Sequence, residues 1–229
     1  MRIADHPSPN HGPRPAGGRI ALVLLHYTGM PDATAALARL CDPESAVSCH
    51  YFVDERGRIL RLVPEERRAW HAGRGGWRGH PDVNDVSIGI ELVNPGHEWG
   101  YRPFPEAQID ALCGLLAPLL ARHRLPPAAV IGHSDVAPAR KTDPGELFPW
   151  PVLAARGLAL WPGEAPPRPV DPLRAARLLR RIGYMGEANG AGLPVLVRAF
   201  QRRFRPRRVD GILDPETMGL LEAVAALSP

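Results

Sequence analysis

The segment IALVLLHYTG, residues 20–29, carries the pattern that decides the fold. Residues 20–25 are apolar without interruption, as expected for a strand that is buried on both faces of a sheet. The run ends at His26, and a strand-to-loop transition follows it. Because rigid scaffolds place reactive groups at strand ends, we expect His26 to be a functional side chain.

Other strands and helices alternate along the chain on either side of this segment. Strands are predicted at residues 49–53 and 58–63, which form a hairpin, and at 86–93 and 129–131. Helices are predicted at residues 32–40, 105–124 and 151–157. This order indicates an α/β fold in which helices flank a mixed central β-sheet.

A proline-rich stretch at residues 162–170 is the clearest predicted domain boundary. It separates a larger domain, residues 19–161, from a small three-helix domain, residues 171–229. The three helices of this domain are predicted at 172–182, 193–204 and 215–226. The first 18 residues are rich in Pro, Gly and His, and we expect a flexible or surface-hugging arm there.

The composition of the 229 residues, 45% hydrophobic and 23% charged, allows a sizeable soluble core. No apolar run approaches the ~20 residues that span a bilayer, so no membrane partner is expected. Without a recognisable signal at the N-terminus, we expect a cytoplasmic protein; association with the cell wall after non-classical export is the alternative. Cys41, Cys49 and Cys113 lack the spacing of a zinc ribbon and are expected to be free thiols.

The net charge of +4 comes from the C-terminal part of the chain. Residues 171–229 hold 10 basic against 6 acidic side chains, whereas residues 1–170 hold 18 of each. Five arginines lie between residues 202 and 208. Such a cluster could hold an anionic polymer, or it could be a solvated helix face.

Two further residues form a candidate metal site with His26. His133 follows the short apolar strand at 129–131, and Asp143 lies ten residues later, at the far end of one loop. Two imidazoles and a carboxylate suit a zinc ion that keeps one position open. Spacing alone also allows hydrogen-bonded structural histidines, so the residue pattern leaves both readings open.

Glu91 and Lys141 stand out for different reasons. Strand alternation places Glu91 on the face opposite Ile88, Ile90 and Leu92, where a carboxylate is either paired or has a raised pKa that suits a general base. Lys141 is the only lysine in a chain with 27 arginines, and it lies two residues before Asp143, where it could stabilise an oxyanion. No serine-hydrolase elbow, Cys–His pair or P-loop competes with this arrangement.

These residues lie in motifs that resemble the type-2 N-acetylmuramoyl-L-alanine amidase family. That family includes anhydro-muramyl amidases of cell-wall recycling, phage amidases and peptidoglycan recognition proteins. The matching stretches occur in the family's order and are LHYT (25–28), SCHY (48–51), WHAG (70–73), NDVSIGIE (84–91) and, within 132–150, GHSD, KTDPG and FPW.

The resemblance implies one Zn²⁺ per chain, with His26, His133 and Asp143 as ligands. It implies Glu91 as the general base and acid for the attacking water, and Lys141 as the cation that stabilises the oxyanion. It also implies a substrate groove, whose candidate residues are Trp70, His71, Ala72, Trp77 and Asn94.

Residues 171–229 resemble a small peptidoglycan-binding domain through LRRIGY (179–184), AFQRRF (199–204) and VDGILDPET (209–217). The implied activity is hydrolysis of the lactyl–L-Ala amide of muramyl peptides. The substrate is a 1,6-anhydro-muropeptide in recycling or, alternatively, intact peptidoglycan. A non-catalytic peptidoglycan receptor is the competing reading. Nucleic-acid binding lacks a supporting motif, and we expect no nucleic-acid partner. The sequence does not indicate an oligomeric state.

Overall fold

The computed structural model describes residues 2–186 and 190–228. Within them the strands are β1 (Ile3–Asp5), β2 (His11–Pro13), β3 (Leu22–Tyr27), β4 (Tyr51–Val53), β5 (Ile59–Arg61), β6 (Arg67–Ala69), β7 (Ser87–Leu92) and β8 (Val130–Gly132). The α-helices are α1 (Ala33–Cys41), α2 (Gly96–Trp99), α3 (Glu106–His123), α4 (His133–Val136), α5 (Trp150–Ala155), α6 (Pro172–Ile182), α7 (Leu193–Phe204) and α8 (Pro215–Leu227).

A six-stranded sheet in the order β1-β5-β4-β7-β3-β8 forms the centre of the molecule. Only β4 and β5, the predicted hairpin, are antiparallel; the other neighbouring strands are parallel. The predicted mixed α/β fold is therefore confirmed. In the register of β3 and β7, His26 is the direct partner of Glu91, which places both side chains on the same face of the sheet.

Helices cover both faces of this sheet. On the face opposite His26, the apolar side of α3 packs on the alternate residues of β3 and β7, such as Val23 and Ile88. On the face of His26, α1 packs over Phe52 of β4 and Leu60 of β5, whereas α6, α7 and α8 pack over Leu24 of β3. The ends of β3 and β7 lie between these two helical layers, where a cleft reaches His26 and Glu91.

The C-terminal helices share one hydrophobic core cluster with the sheet. At the contact, the buried Arg203 of α7 donates to Asp135 of α4 (3.1 Å) and to the carbonyl of Val130 (3.0 Å), and its guanidinium lies 4.1 Å from the centre of the Trp150 ring. The hydroxyl of Tyr184 donates to the other oxygen of Asp135. This buried network fixes α7 against the helix that begins with His133.

Two aspartates begin helices of this C-terminal segment in the same way. Asp171 caps α6 and Asp214 caps α8; each side chain accepts a backbone N–H of the first turn, and a proline follows each one. An Asp cap followed by Pro is a strong start signal, because the proline needs no hydrogen-bond partner at the first helical position. The sequence therefore predicts the starts of these helices correctly.

Residues 2–18, expected to form a flexible or surface-hugging arm, pair with the rest of the fold as the second alternative implies. β1 pairs with β5 at the edge of the sheet, and β2 pairs with β6 in a separate two-stranded ribbon. Ser8 and Asn10 between them are buried, and the Asn10 amide donates to the carbonyls of Asp42 and Val47. The polar composition of the segment concealed these pairings, because its hydrogen bonds go to distant parts of the chain.

The arginines between residues 202 and 208 do not form a free basic surface. Arg205 is buried and pairs with Asp210, Asp214 and Glu216, and Arg208 pairs with Asp210. Together with the Arg203–Asp135 contact, these pairs neutralise much of the cluster. Arg203 and Arg205 are thus buried in ion pairs, whereas Arg207 and Arg208 stay largely exposed.

Cys41, Cys49 and Cys113 are free thiols, as predicted. Across residues 2–186 and 190–228, none of the helices combines the length and the apolar character that crossing a membrane requires.

Loss of Arg203 should destabilise the protein strongly. Arg203→Ala leaves the buried Asp135 carboxylate without its cation, and breaking a buried pair typically costs about 3 to 5 kcal/mol. Arg207→Ala is the matched control, since Arg207 pairs with Glu216 at the surface, where such pairs contribute less than about 1 kcal/mol. Urea unfolding measures both changes. Equal losses for the two variants would contradict the bracing role of Arg203.

Candidate functional site

Three side chains from distant parts of the sequence converge at one point. His26 is the penultimate residue of β3, His133 begins α4, and Asp143 lies in the loop that follows α4. The Nδ1 atoms of the two histidines and Oδ2 of Asp143 form a triangle in which each distance is 3.0 Å. All three side chains are buried, and among the described residues they are the one group that could hold a metal ion.

The tautomer of His133 follows from its second nitrogen. Nε2 lies 2.8 Å from the backbone carbonyl of Ala72, which can only accept a hydrogen bond. Nε2 of His133 therefore carries a proton, and the tautomer that this bond selects has its lone pair on Nδ1, at the triangle. The ring is thus oriented as a metal ligand.

Burial and neighbouring charges determine the ionisation of this cluster. Burial, followed by the adjacent His133, lowers the pKa of His26 to about 4. Burial acts to raise the pKa of Asp143, but the neighbouring imidazoles, His133 before His26, hold that pKa well below its usual range. At neutral pH the cluster therefore contains an ionised carboxylate beside a neutral His26 imidazole. Neutral nitrogen and carboxylate oxygen are the forms that bind metal.

Glu91 lies beside this triangle as the register partner of His26. Its Oε2 atom is out of contact with solvent and has no hydrogen-bond partner. Burial, and then the charge of Asp143, raise the pKa of Glu91 well above its usual value, while the charge of Lys141 opposes the shift. An unpaired, desolvated carboxylate is a stronger base than an exposed one, which suits proton transfer.

A cleft of about 600 Å³ opens onto this group of side chains. It is lined by the triangle, by Glu91 and Lys141, and by two of the predicted groove residues, Trp70 and His71. The structure thus brings together the residues predicted for metal binding and catalysis, and Trp70 and His71 with them. A depression of about 890 Å³ elsewhere, lined by residues such as Arg14 and Glu65, contains none of them.

Three other predicted groove residues do not reach the cleft. Ala72 is fully buried and acts through its carbonyl, which accepts from His133. Trp77 is buried against Tyr184, 4.9 Å between ring centres, where the C-terminal helices meet the sheet. Asn94 is buried, and its side chain donates to the carbonyl of Arg102 and accepts from the N–H of Gly96. The structure therefore places these three outside the lining of the cleft, in contacts that support its walls, and their contact with substrate stays a prediction.

The cleft also contains side chains that the sequence reasoning missed. His97 stacks on Tyr101, lies 2.9 Å from the Tyr27 hydroxyl and faces Glu146. Trp99 is 59% exposed on the same rim. Two sequence signals were available. Tyr27 directly follows His26, and His97 and Trp99 follow the strand that contains Glu91. They carry no metal-binding pattern, and only the fold brings them to one wall.

Comparison with known proteins agrees with this geometry. Residues 16–146 match the N-acetylmuramoyl-L-alanine amidase family. The N-acetylmuramoyl-L-alanine amidase AmiD of Escherichia coli K12 is 40% identical over 230 aligned positions, which cover 90% of this chain and 82% of AmiD. The 1,6-anhydro-N-acetylmuramyl-L-alanine amidase AmpD of Enterobacter cloacae is 32% identical over 161 positions, which cover 63% of this chain and 84% of AmpD.

A solved structure resembles nearly the whole chain. It is the complex of E. coli AmiD with the substrate anhydro-N-acetylmuramic acid-L-Ala-D-gamma-Glu-L-Lys. The TM-score is 0.80 at 39% identity, and the match covers 93% of this chain and 90% of that one. The similarity therefore includes the C-terminal helices as well as the sheet.

Replacing Glu91 with Gln should stabilise the metal-free protein more at pH 7 than at pH 4. Because the folded-state pKa of Glu91 is raised, the folded protein retains a proton that the unfolded chain releases above its pKa of about 4.3. The free energy of unfolding of the wild type therefore falls as the pH rises above about 4.3. The full loss is about 1.4 kcal/mol for each unit by which the folded-state pKa of Glu91 exceeds the unfolded one. Gln does not ionise, so the variant avoids the loss.

The measurement is the free energy of urea unfolding for both proteins in the presence of a chelator. Contributions from other titrating groups cancel in the difference between wild type and Glu91→Gln. If the variant and the wild type differ in free energy of unfolding by the same amount at pH 4 and at pH 7, Glu91 ionises normally in the fold.

Proposed function

The chain belongs to the N-acetylmuramoyl-L-alanine amidase family, and we propose that its cleft hydrolyses the amide between the lactyl group of a muramyl sugar and L-alanine. The observation that carries the proposal is the convergence of His26, His133 and Asp143 beside Glu91 and Lys141 in one cleft. A carbonyl seated there would lie near both a cation site and a proton acceptor.

We infer that the cation is Zn²⁺, held by His26, His133 and Asp143. The donor set fits this ion, because two imidazole nitrogens and one carboxylate oxygen leave a fourth position for water or substrate. The 3.0 Å separations are close to the roughly 3.3 Å between neighbouring ligand atoms around tetrahedral zinc. When bound, zinc would polarise the scissile carbonyl and lower the pKa of the attacking water.

Glu91 is the proton carrier in this proposal. Its unpaired Oε2 accepts the proton of the water as the water attacks the carbonyl carbon. It then delivers that proton to the nitrogen of L-alanine as the C–N bond breaks. The raised pKa suits both steps, since the group must first accept and then release one proton near neutral pH.

Lys141 supplies positive charge to the same cleft. It lines the cleft, and its charge acts on both His26 and Glu91. A flexible ammonium group can follow the carbonyl oxygen as it becomes negative, which lowers the energy of the tetrahedral state. The same charge favours the ionised form of Glu91, so that part of the population is ready to act as a base.

The proposed substrate is a 1,6-anhydro-muramyl peptide. Support comes from the likeness to AmiD, whose solved structure holds such a compound, and from the likeness to AmpD. Trp70 and His71 remain at the cleft as candidate contacts for the substrate. For the C-terminal helices we propose glycan binding on the motif resemblance alone. Their shared core with the sheet would hold a bound glycan strand at a fixed position relative to the cleft.

Glu91→Gln should retain zinc and lose catalysis. Removal of a general base typically lowers the rate by roughly 2 to 4 orders of magnitude. The assay follows release of the stem peptide from anhydro-N-acetylmuramyl peptide, with zinc content measured on the same samples. Glu98→Gln, at the exposed rim of the same cleft, is the matched control and should keep the wild-type kcat. An active Glu91→Gln enzyme would refute the assigned role.

Purified anhydro-muropeptide should be cleaved faster than intact peptidoglycan sacculi. Both rates are expressed per lactyl–L-Ala amide present, at the same enzyme concentration. Faster release from sacculi would instead support the alternative in which the enzyme acts on the assembled wall. Binding without turnover of either substrate by the zinc-loaded protein would support a receptor.

A further inference from the structure

We propose that His71 and Ser87 are positioning residues that hold His26 in the tautomer whose Nδ1 is free to bind a cation. The inference rests on the proposed zinc site, and it assigns to His71 a role other than contact with substrate. Its basis is a line of hydrogen bonds that runs from the backbone of Val83 through Ser87 and His71 to His26.

The direction of each hydrogen bond in this line is determined. The Ser87 hydroxyl donates to the carbonyl of Val83 at 2.6 Å, which uses its one proton. Toward Nε2 of His71, 3.2 Å away, the Ser87 oxygen can therefore only accept, and so Nε2 of His71 carries a proton.

The same reasoning continues to the metal ligand. With the proton of neutral His71 on Nε2, its Nδ1 is an acceptor, and it lies 3.0 Å from Nε2 of His26. Nε2 of His26 is therefore the donor, which leaves a lone pair on Nδ1 at the triangle with His133 and Asp143. The line ends in a backbone carbonyl, which cannot reverse its direction.

Without this line, His26 would have a competing tautomer. Its Nδ1 lies 3.0 Å from Oδ2 of Asp143, so a proton on Nδ1 would be donated to that carboxylate. Such a hydrogen bond would occupy the lone pairs that a metal ion needs on both residues. His71 and Ser87 exclude this arrangement by requiring the proton of His26 at Nε2.

Local packing fixes the His71 ring in place. The ring lies against Gly89 of β7, where a Cβ atom would come within 2.4 Å of the ring carbon Cγ. The backbone N–H groups of His71 and Ala72 both donate to the side chain of Asn84. Gly89 thus provides the space, and Asn84 holds the turn that carries the ring.

The same turn orients the second imidazole. The carbonyl of Ala72, adjacent to His71, accepts from Nε2 of His133 at 2.8 Å and from Arg140 at 2.7 Å. One short turn therefore places the proton on Nε2 of both histidines, by a side chain in one case and by a backbone carbonyl in the other. Such partners fix tautomer and orientation in metal sites, and their loss commonly costs 10- to 100-fold in metal affinity.

The first test measures zinc affinity of the full-length protein by competition with a chromogenic chelator. Ser87→Ala should bind zinc roughly 10-fold more weakly than wild type. Ser8→Ala is the matched control, because Ser8 is also buried and donates to a backbone carbonyl at 2.6 Å, but contacts none of the site imidazoles. The urea midpoints of both variants are measured as well. If the two variants lose similar stability but only Ser87→Ala loses zinc affinity, the loss is due to the orientation of the imidazoles.

The second test uses two side chains of nearly equal shape at position 71. His71→Asn can place an amide oxygen near the former Nδ1 and accept from His26, whereas His71→Leu cannot. Leu should lower zinc affinity by roughly 10- to 100-fold, and Asn should restore most of it. The visible absorption of the Co²⁺-substituted proteins should shift for Leu and remain near wild type for Asn.

The outcomes separate this inference from the proposed function. Wild-type zinc affinity and an unchanged cobalt spectrum in both Ser87→Ala and His71→Leu would overturn the positioning role while leaving the zinc site intact. A wild-type protein that binds no zinc, or binds it equally well as His26→Ala, would overturn the zinc site itself. Equal loss in Leu and Asn would show that the ring shape of His71 matters and its acceptor does not.

Discussion

The site depends on holding two imidazole nitrogens and a carboxylate oxygen within 3.0 Å of one another in a buried position. Lone pairs repel at that distance, so the arrangement persists only where the backbone is rigid and the outer nitrogens are fixed. Parallel pairing of β3 with β7 supplies the rigidity, since six consecutive residue pairs define the position of His26 relative to Glu91. A cation would then remove the repulsion that the fold maintains.

The C-terminal helices contribute to this constraint from the other side. His133 begins a helix of only four residues, which has little stability of its own. Asp135 in that helix is held by Arg203, by Tyr184 and by the N–H of Gly132. The segment that resembles a peptidoglycan-binding domain is therefore also a structural support for a metal ligand, whatever it binds on its outer surface.

The sequence predicted the features that depend on local pattern, namely the buried strands, the amphipathic helices and the Asp–Pro helix starts. The proposed ligands and Glu91 were found because each lies in a motif or breaks a strand pattern. Edge strand β1 and the burial of Trp77 and Asn94 were missed because they depend on contacts with distant parts of the chain and leave no local pattern. A tryptophan in a glycine-rich loop looks the same whether it faces a substrate or a neighbouring helix, and only the packing of Tyr184 decides between them.

His71 shows that a residue from a motif typical of substrate contact can also have contacts that point to a second role. Its neighbours in the WHAG stretch suggest a loop that presents side chains to a ligand, yet both ring nitrogens of His71 are directed at Ser87 and His26. The sequence holds a second signal for this, the glycine at position 89 in an otherwise apolar strand, because the ring needs the space that a Cβ atom would fill. A glycine in a strand can thus mark the place where a distant ring packs. Gly89 makes room for the His71 ring, and that ring in turn determines which nitrogen of His26 carries the proton.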